Sequence, residues 1–340
     1  MTSATVLDAR NLTVDIDTAR ARIRVVAGVD LELQAGEALG LVGESGSGKS
    51  VFSRSAMGLH EDDDIVTVAG SSELLGEEVI GARVGRLRQR WGSDISIVLQ
   101  DPLASLNPVR RIGTQLTETI RRHRPHLKRA EARAIALDLM RKVGIADPVR
   151  RLRVYPHELS GGMRQRVMIA MALSGNPSVL IADEPTTALD VTVQAQILDL
   201  LDRERRARQM GLILVTHDLS IVAARTDRVA VMYAGQIVEE APTARIFAGP
   251  RMPYTRALLD AVPPLEGPTH VRLAAIPGSP PDPSVPVAGC RFADRCAFAE
   301  ERCRAEQPEL RPIDGDASHR VRCHFPLQPT AVAEPVGEAV

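Results

Sequence analysis

Two stretches of the chain carry residue types whose spacing can do chemistry. Gly43-Glu44-Ser45-Gly46-Ser47-Gly48-Lys49-Ser50 sets four residues between a glycine and Gly-Lys-Ser. That is the pattern of a loop whose successive backbone N–H groups wrap phosphates. In it Lys49 pairs with the β- and γ-phosphates and the Ser50 hydroxyl sits on Mg²⁺. The second stretch, Val179-Leu180-Ile181-Ala182-Asp183-Glu184, is an apolar run ending in two acids. It reads as a buried strand delivering carboxylates at its C-terminal end, the edge where open α/β sheets bind ligands. Asp183 then reaches Mg²⁺ through a water, and Glu184 polarises the attacking water. Taken singly, the first is a glycine-rich turn and the second a solvated strand end. Together they describe transfer of a phosphoryl group to water.

A third stretch, Leu159-Ser160-Gly161-Gly162-Met163-Arg164-Gln165, precedes an apolar helical run from Val167 to Leu173. Ser160 can cap that helix, and the two glycines let a phosphate approach the exposed N–H groups. One nucleotide does not need two phosphate-binding helix starts from the same chain. The pair makes sense if each nucleotide lies between two subunits, held by the loop of one and the Ser-Gly-Gly of the other.

These residues must be positioned by regular elements. The run 37–42 is short enough for a buried strand, and 51–59 reads as a helix ending near Gly58. Residues 1–36 alternate apolar and polar (Leu12, Val14, Ile16; Ile23, Val25; Val29, Leu31, Leu33), which predicts half-buried antiparallel strands. Residues 62–100 continue in that style. Helical spacing follows over 111–122 and 129–143, with Ala132, Ile135, Ala136, Leu139 and Val143 on one face and Gly144 as the stop. A helical insert, about 103–158, thus divides two α/β segments. Strand 178–182, helix 191–208, strand 212–216, helix 219–225 and strand 228–233 then give the rhythm of a mostly parallel sheet. Proline becomes frequent past Glu240, predicting an extended linker over 246–287 and a disordered tail over 327–340.

The 340 residues accommodate one large α/β domain and a small appendage. Aromatic residues are only 3%, so the core must be aliphatic. A net charge of −1 argues against bulk attraction to nucleic acid or anionic lipid, and the arginine clusters at 83–90, 121–133 and 150–153 read as solvated faces. Only Lys49, Lys128 and Lys142 are lysines; one at the phosphate loop suits a compact ammonium rather than a planar fork. No apolar run approaches the roughly 18 residues of a membrane span, and Asp8, Asp15 and Asp17 crowd the start. The expectation is a cytoplasmic chain whose membrane role, if any, goes through partners.

The phosphate loop, Gln100, Leu159-Ser160-Gly161-Gly162-Met163, Asp183-Glu184, Ala188-Leu189-Asp190 and Thr216-His217-Asp218 occur in the order seen in ABC-type ATPase subunits, which the chain resembles over about residues 5–245. The resemblance implies an α/β fold: a P-loop NTPase (RecA-like) core, an N-terminal antiparallel β subdomain, an inserted helical subdomain and a small Cys-rich C-terminal extension. It implies that Gly43, Ser45, Gly46, Ser47, Gly48, Lys49, Ser50 and Val51 hold ATP, with Mg²⁺ on Ser50, Gln100 and Asp183. Gln100 would sense the γ-phosphate, Glu184 would be the general base and His217 its helper. Ser160, Gly161 and Gly162 would contact the nucleotide of a second ATPase subunit, and Asp190 would act across the dimer. The family stacks adenine on an aromatic ahead of the loop, whereas the first aromatic here is Phe52; Ile23 or Val25 is left to pack against the base. A soluble ABC protein of DNA repair or translation is the rival, set back by the short insert and single cassette.

More narrowly, Gln100-Asp101-Pro102, Ser105-Leu106-Asn107-Pro108, Tyr155-Pro156-His157, Met232-Tyr233-Ala234-Gly235 and the run Pro253 to Leu259 resemble dipeptide/oligopeptide importer ATPases, a group that includes nickel and some oligosaccharide importers. This implies two transmembrane permeases, a solute-binding protein outside, and a place on the cytoplasmic membrane face. The tail resembles that family too. Its Cys290, Cys296, Cys303 and Cys323, the only cysteines, lack a Cys-x₂₋₄-Cys knuckle. Residues 288–326 therefore form a four-Cys extension suited to a [4Fe–4S] cluster, with zinc or free thiols as alternatives.

Overall fold

A computed structural model describes residues 4–60, 63–101, 105–186, 190–262 and 276–328. Ala188 and Leu189, Pro102, linker residues 263–275 and the tail from 329 lie outside the described residues.

The alternating N-terminal pattern becomes two long strands, β1 (Thr5–Asp17) and β2 (Arg22–Gln34), which pair antiparallel. With β4 (Val66–Leu74) and β5 (Glu77–Glu78) they form a four-stranded sheet in the order β2-β1-β4-β5. The apolar runs form the main sheet: β3 (Ala38–Val42), β6 (Ile95–Val98), β7 (Val179–Asp183), β8 (Gly211–Thr216) and β9 (Arg228–Tyr233). These five are parallel in the order β9-β3-β8-β7-β6. β3 and β7 are buried throughout, as strands covered on both faces must be. The C-terminal ends of β3, β6, β7 and β8 share one edge, and each leads directly to a stretch singled out above.

The helical layer holds α3 (Ile112–His123), α4 (Arg129–Lys142) and α6 (Gly161–Leu173), preceded by α1 (Lys49–Ala56) and α2 (Val84–Arg90), with the short α5 (Pro148–Arg151) between. Leu116, Ile120, Ala132, Ala136, Leu139, Met140 and Val167 interlock in one aliphatic cluster. α4 stops at Val143, and Gly144 follows at φ +73°, the left-handed turn glycine tolerates. A second cluster fills the space between the two sheets. The helix α2 departs from the strand style expected over 62–100. Only its Leu87 is buried, so a single apolar residue left no periodicity to read.

The C-terminal segment departs further. Residues 246–287, expected as an extended linker, begin inside α9 (Thr243–Ala248), the helix after α8 (Leu219–Arg225), and contain α10 (Pro253–Asp260). Pro253 stands at the first turn of α10, where proline starts a helix rather than breaking one. The main sheet also continues into the extension: β9 pairs with β10 (Gln236–Pro242), β10 with β12 (Asp316–Val321), and β12 with β11 (Arg311–Ile313). The appendage is therefore one edge of the same eight-stranded sheet. A buried carboxylate clamps it: Glu239 accepts from Arg251 N (2.6 Å) and Met252 N (3.1 Å), and lies 2.8 Å from His319 Nε2. Leu327 N donates to Arg251 O at 2.8 Å.

Candidate active site

The loop after β3 requires its glycines. At Gly43 (φ +151°) a Cβ would stand 2.0 Å from Met232 O, and at Gly48 (φ +101°) 2.8 Å from Val25 O, both main-chain atoms. No side chain fits at either without moving a strand. Gly48 then caps α1, whose first residue is Lys49. Ser45 and Gly46 are exposed, while Ser47, Gly48 and Lys49 are buried. Lys49 Nζ donates to Gly43 O (2.8 Å), Glu44 O (2.9 Å) and Ser47 Oγ (3.3 Å). Burial pushes its pKa down, against the pull of Glu184, Asp183 and Glu44.

Across the sheet edge, Ser50 Oγ donates to Asp183 Oδ1 at 3.0 Å. Asp183 is 1% exposed, and burial pushes its carboxyl up, countered by the Ser50 hydrogen bond and by Arg54 and Lys49, with Glu184 adding to the rise. A half-buried hydroxyl beside a buried carboxylate, both oxygen donors, fits a hard divalent cation such as Mg²⁺. A loop of small residues with a buried ammonium fits a polyphosphate.

Glu184 stands at φ +47°, a left-handed conformation costing a non-glycine residue about 1–3 kcal/mol. Its N–H donates to Val215 O (2.9 Å), tying it to β8 next to the turn that carries His217. The carboxylate is gripped from both sides: Gln100 Nε2 donates to Oε2 at 2.6 Å, and His217 Nδ1 lies 3.0 Å from Oε1. His217 itself remains 63% exposed. Residues from the ends of β6, β7 and β8 thus fix one carboxylate beside the Ser50–Asp183 pair. A carboxylate so held can take a proton from water, and an adjacent imidazole can orient it.

Ser160, Gly161 and Asp190 stand apart from this cluster in role. Ser160 caps α6, accepting from Met163 N at 3.4 Å, and Gly161 opens to solvent with no atom within 4 Å of a would-be Cβ. Gly162 follows, half-buried, and Val51 is half-buried in α1. Asp190 caps α7 (Val191–Arg208), accepting from Val193 N at 2.9 Å.

Sequence reasoning missed what braces the loop. Glu44 N donates to Tyr254 Oη at 2.9 Å, and the Glu44 carboxylate receives both arms of Arg295, at 2.7 and 2.9 Å. Tyr233, Tyr254 and Phe292 pack ring to ring beneath, with centroids 4.5–5.3 Å apart. The sequence signal for it is that Tyr254 falls within the run Pro253 to Leu259, which resembles importer ATPases.

Residues 26–187 match the profile described as ABC transporter, and residues 238–303 match the oligopeptide/dipeptide transporter C-terminal region. A putative peptide import ATP-binding protein of Brucella abortus is 48% identical over 93% of this chain and 94% of its own length. The chain belongs to the ABC transporter ATP-binding proteins. The dipeptide transport ATP-binding protein DppD of Escherichia coli is 45% identical to this ABC protein over 94% of the chain and 97% of its own length. Among solved structures, the ATP-binding cassette MJ0796 in a dimeric post-hydrolysis state bound to ADP and phosphate superposes with a TM-score of 0.63 at 26% identity, covering 70% of this chain and 98% of that one. The cassette fold of the ABC family is thus the frame on which Lys49, Asp183 and Glu184 meet.

The four cysteines line a single pocket with Met252, Phe292 and Phe298. Burial pushes the Cys290 and Cys296 thiols up, and Cys323 up to about 12. Among the described residues no group of three or more His, Cys, Asp or Glu is placed to hold a metal ion. The four thiols thus share a pocket without forming a metal-binding group among the described residues, and the [4Fe–4S] cluster expected from the sequence, with zinc as its alternative, is not shown there.

Proposed function

We propose that this ABC protein is the ATP-hydrolysing subunit of an importer of dipeptides or oligopeptides. The match of residues 238–303 to the oligopeptide/dipeptide transporter C-terminal region, in one chain with the cassette, carries the reading. Lys49 and the N–H groups from Ser45 to Val51 hold the phosphates of ATP, and Ser50, Asp183 and Gln100 hold Mg²⁺, which neutralises phosphate charge when bound. Glu184 accepts the proton of the attacking water, His217 orients it, and Gln100 links it to the γ-phosphate. Ser160, Gly161 and Gly162 of a second ATPase subunit close over the same nucleotide, and Asp190 acts across that interface. Transport falls to two permeases on which this subunit sits, at the cytoplasmic membrane face; no helix among the described residues is long and apolar enough to cross a membrane. A solute-binding protein delivers the peptide outside, and nucleic acid has no part.

We extend the reading to the C-terminal pocket: Cys290, Cys296, Cys303 and Cys323 hold a structural [4Fe–4S] cluster. The convergence of all four on one apolar pocket supports it, and soft thiolates suit iron–sulfur chemistry.

The test is reconstitution of the subunit in vesicles with its second ATPase and the permeases. Peptide-loaded binding protein should stimulate ATP hydrolysis; stimulation by nickel or oligosaccharide instead would reassign the solute.

A further inference from the structure

Four arginines of the helical layer line one small cavity. Arg111 precedes α3, Arg129 and Arg133 lie on α4, and Arg153 follows α5. With Thr114 and Thr117 they surround a space of 170 Å³ into which no carboxylate projects. Among the described residues, none of the four guanidiniums takes part in a hydrogen bond or ion pair. The nearby carboxylates are already used: Glu118 accepts from Arg110, Glu131 from Lys128 N at 2.6 Å, and Asp147 from Arg150 N at 3.3 Å. We propose that this cavity is a second anion site, which binds a compact phosphate-bearing group. It owes nothing to the reading of the phosphate loop.

Arginine as a residue type carries no weight here, since all but three of the 42 basic residues are arginines. Their convergence does. The chain has 43 acidic residues to its 42 lysines and arginines, so a place where four cations meet without an anion departs from the whole.

The main chain builds the cavity. A Cβ at Gly113 would stand 2.6 Å from Leu152 O, so glycine is what lets segment 152–154 lie against the start of α3. There Ile112 N donates to Val154 O (2.9 Å) and Gly113 N to Leu152 O (2.8 Å). Those bonds occupy the first N–H groups of α3, so side chains, not the helix terminus, make the site. They also fix Arg153 beside that helix start. The Arg111 guanidinium lies over the Tyr155 ring, 5.8 Å from its centroid, and Tyr155 stacks on His157. The remaining wall is α4, where Arg129 and Arg133, four residues apart, share a face. Leu116 of α3 and Ala132 of α4 belong to one buried cluster, which holds the two helices in register under the exposed arginine heads.

Like charges four apart on a helix repel each other. The anion-free arrangement therefore carries a cost that a bound anion removes. A phosphate presents its oxygens in a tetrahedron and carries close to two negative charges, so it can take guanidinium forks from several sides. A carboxylate offers two oxygens in one plane and a single charge. The Thr114 hydroxyl, unpartnered among the described residues, adds a neutral donor, whereas the Thr117 hydroxyl is given to Gly113 O at 2.6 Å. The space is smaller than the roughly 300–1,000 Å³ of sites for drug-sized ligands, which limits the occupant to a phosphate or pyrophosphate group. That group comes free in solution or on the headgroup of an anionic lipid.

The test uses the full chain with Lys49→Ala, which silences the phosphate loop, and labelled pyrophosphate as the probe. Lys49→Ala should still bind pyrophosphate. Adding Arg133→Gln or Arg153→Gln should weaken that binding about tenfold or more, the scale of one charge-assisted hydrogen bond. Arg129→Lys, which keeps the charge and loses the fork, should weaken it less than Arg129→Gln. Pyrophosphate should also raise the unfolding temperature above that in chloride of equal ionic strength, an effect lost with Arg133→Gln. Flotation with vesicles of equal parts phosphatidylglycerol and phosphatidylcholine separates the two sources. Arginine-dependent flotation assigns the lipid headgroup, and arginine-dependent pyrophosphate binding without flotation assigns the free anion; either upholds the site. Failure to bind both probes, or binding indifferent to the arginine substitutions, would overturn it. So would a preference for an oligo-glutamate peptide over both probes, which would make the cavity a seat for an acidic protein segment.

Discussion

Glu44 and Arg295, 251 residues apart, meet as a two-pronged ion pair, Nη1 to Oε2 at 2.7 Å and Nη2 to Oε1 at 2.9 Å. The N–H of the same glutamate donates to Tyr254 Oη, and its carbonyl accepts from Lys49 Nζ. All three of its polar groups are spoken for, two of them by residues beyond position 250. The start of the phosphate loop is therefore held in place by the C-terminal extension.

That relationship sets the first expectation. Arg295 is 6% exposed and Glu44 28%, so the pair is stronger than a surface bridge. A double-mutant cycle with Glu44→Gln and Arg295→Gln, read by denaturant unfolding, should show coupling of about 1–3 kcal/mol. Additive effects would mean that the two side chains act independently.

Glu184→Gln should lower ATP turnover about 100-fold or more, the scale of a lost general base. Binding of Mg²⁺ and ATP should persist, because Lys49, Ser50 and Asp183 are untouched. Single-turnover hydrolysis and equilibrium binding on the same preparation check this. Turnover at the original rate would remove Glu184 from the chemistry.

Asp183 links stability to pH. Burial raises its folded-state pKa above the unfolded value, so the folded chain holds the proton more tightly than the unfolded chain does. The cost of keeping it ionised is absent below the unfolded pKa, near the ordinary carboxylate range, and is fully present once pH exceeds the folded value. Asp183→Asn should therefore stabilise the nucleotide-free chain at pH 7, with the gain shrinking as pH falls toward 4. Unfolding midpoints at the two pH values, without Mg²⁺, measure it. An equal gain at both would refute the linkage.

If the cysteine pocket holds a [4Fe–4S] cluster, anaerobically purified protein is brown with a broad visible absorbance, and Cys303→Ser bleaches it. A colourless protein carrying one zinc per chain would replace the cluster with zinc.

Much of the scaffold was readable because its signals are local. Val179–Asp183 is continuously apolar up to its acid, and Ala132, Ala136 and Leu139 recur at helical spacing. Single buried residues left no such trace. Leu87 alone anchors α2, and α10 buries only its first turn, Pro253 to Thr255, within a stretch whose prolines read as linker.

The sequence by itself determined the chemistry: which loop can seat phosphates, which strand ends in acids, and which serine caps a helix. These are matters of residue type at short spacing, where backbone geometry and the N–H inventory follow from a few neighbours. Only the tertiary structure decided that Gln100 and His217 grip opposite oxygens of Glu184, and that the C-terminal segment extends the main sheet far enough to brace Glu44. Those pairings join residues 33 to 251 positions apart. Strand order and sheet twist bring them together, and no local pattern encodes that.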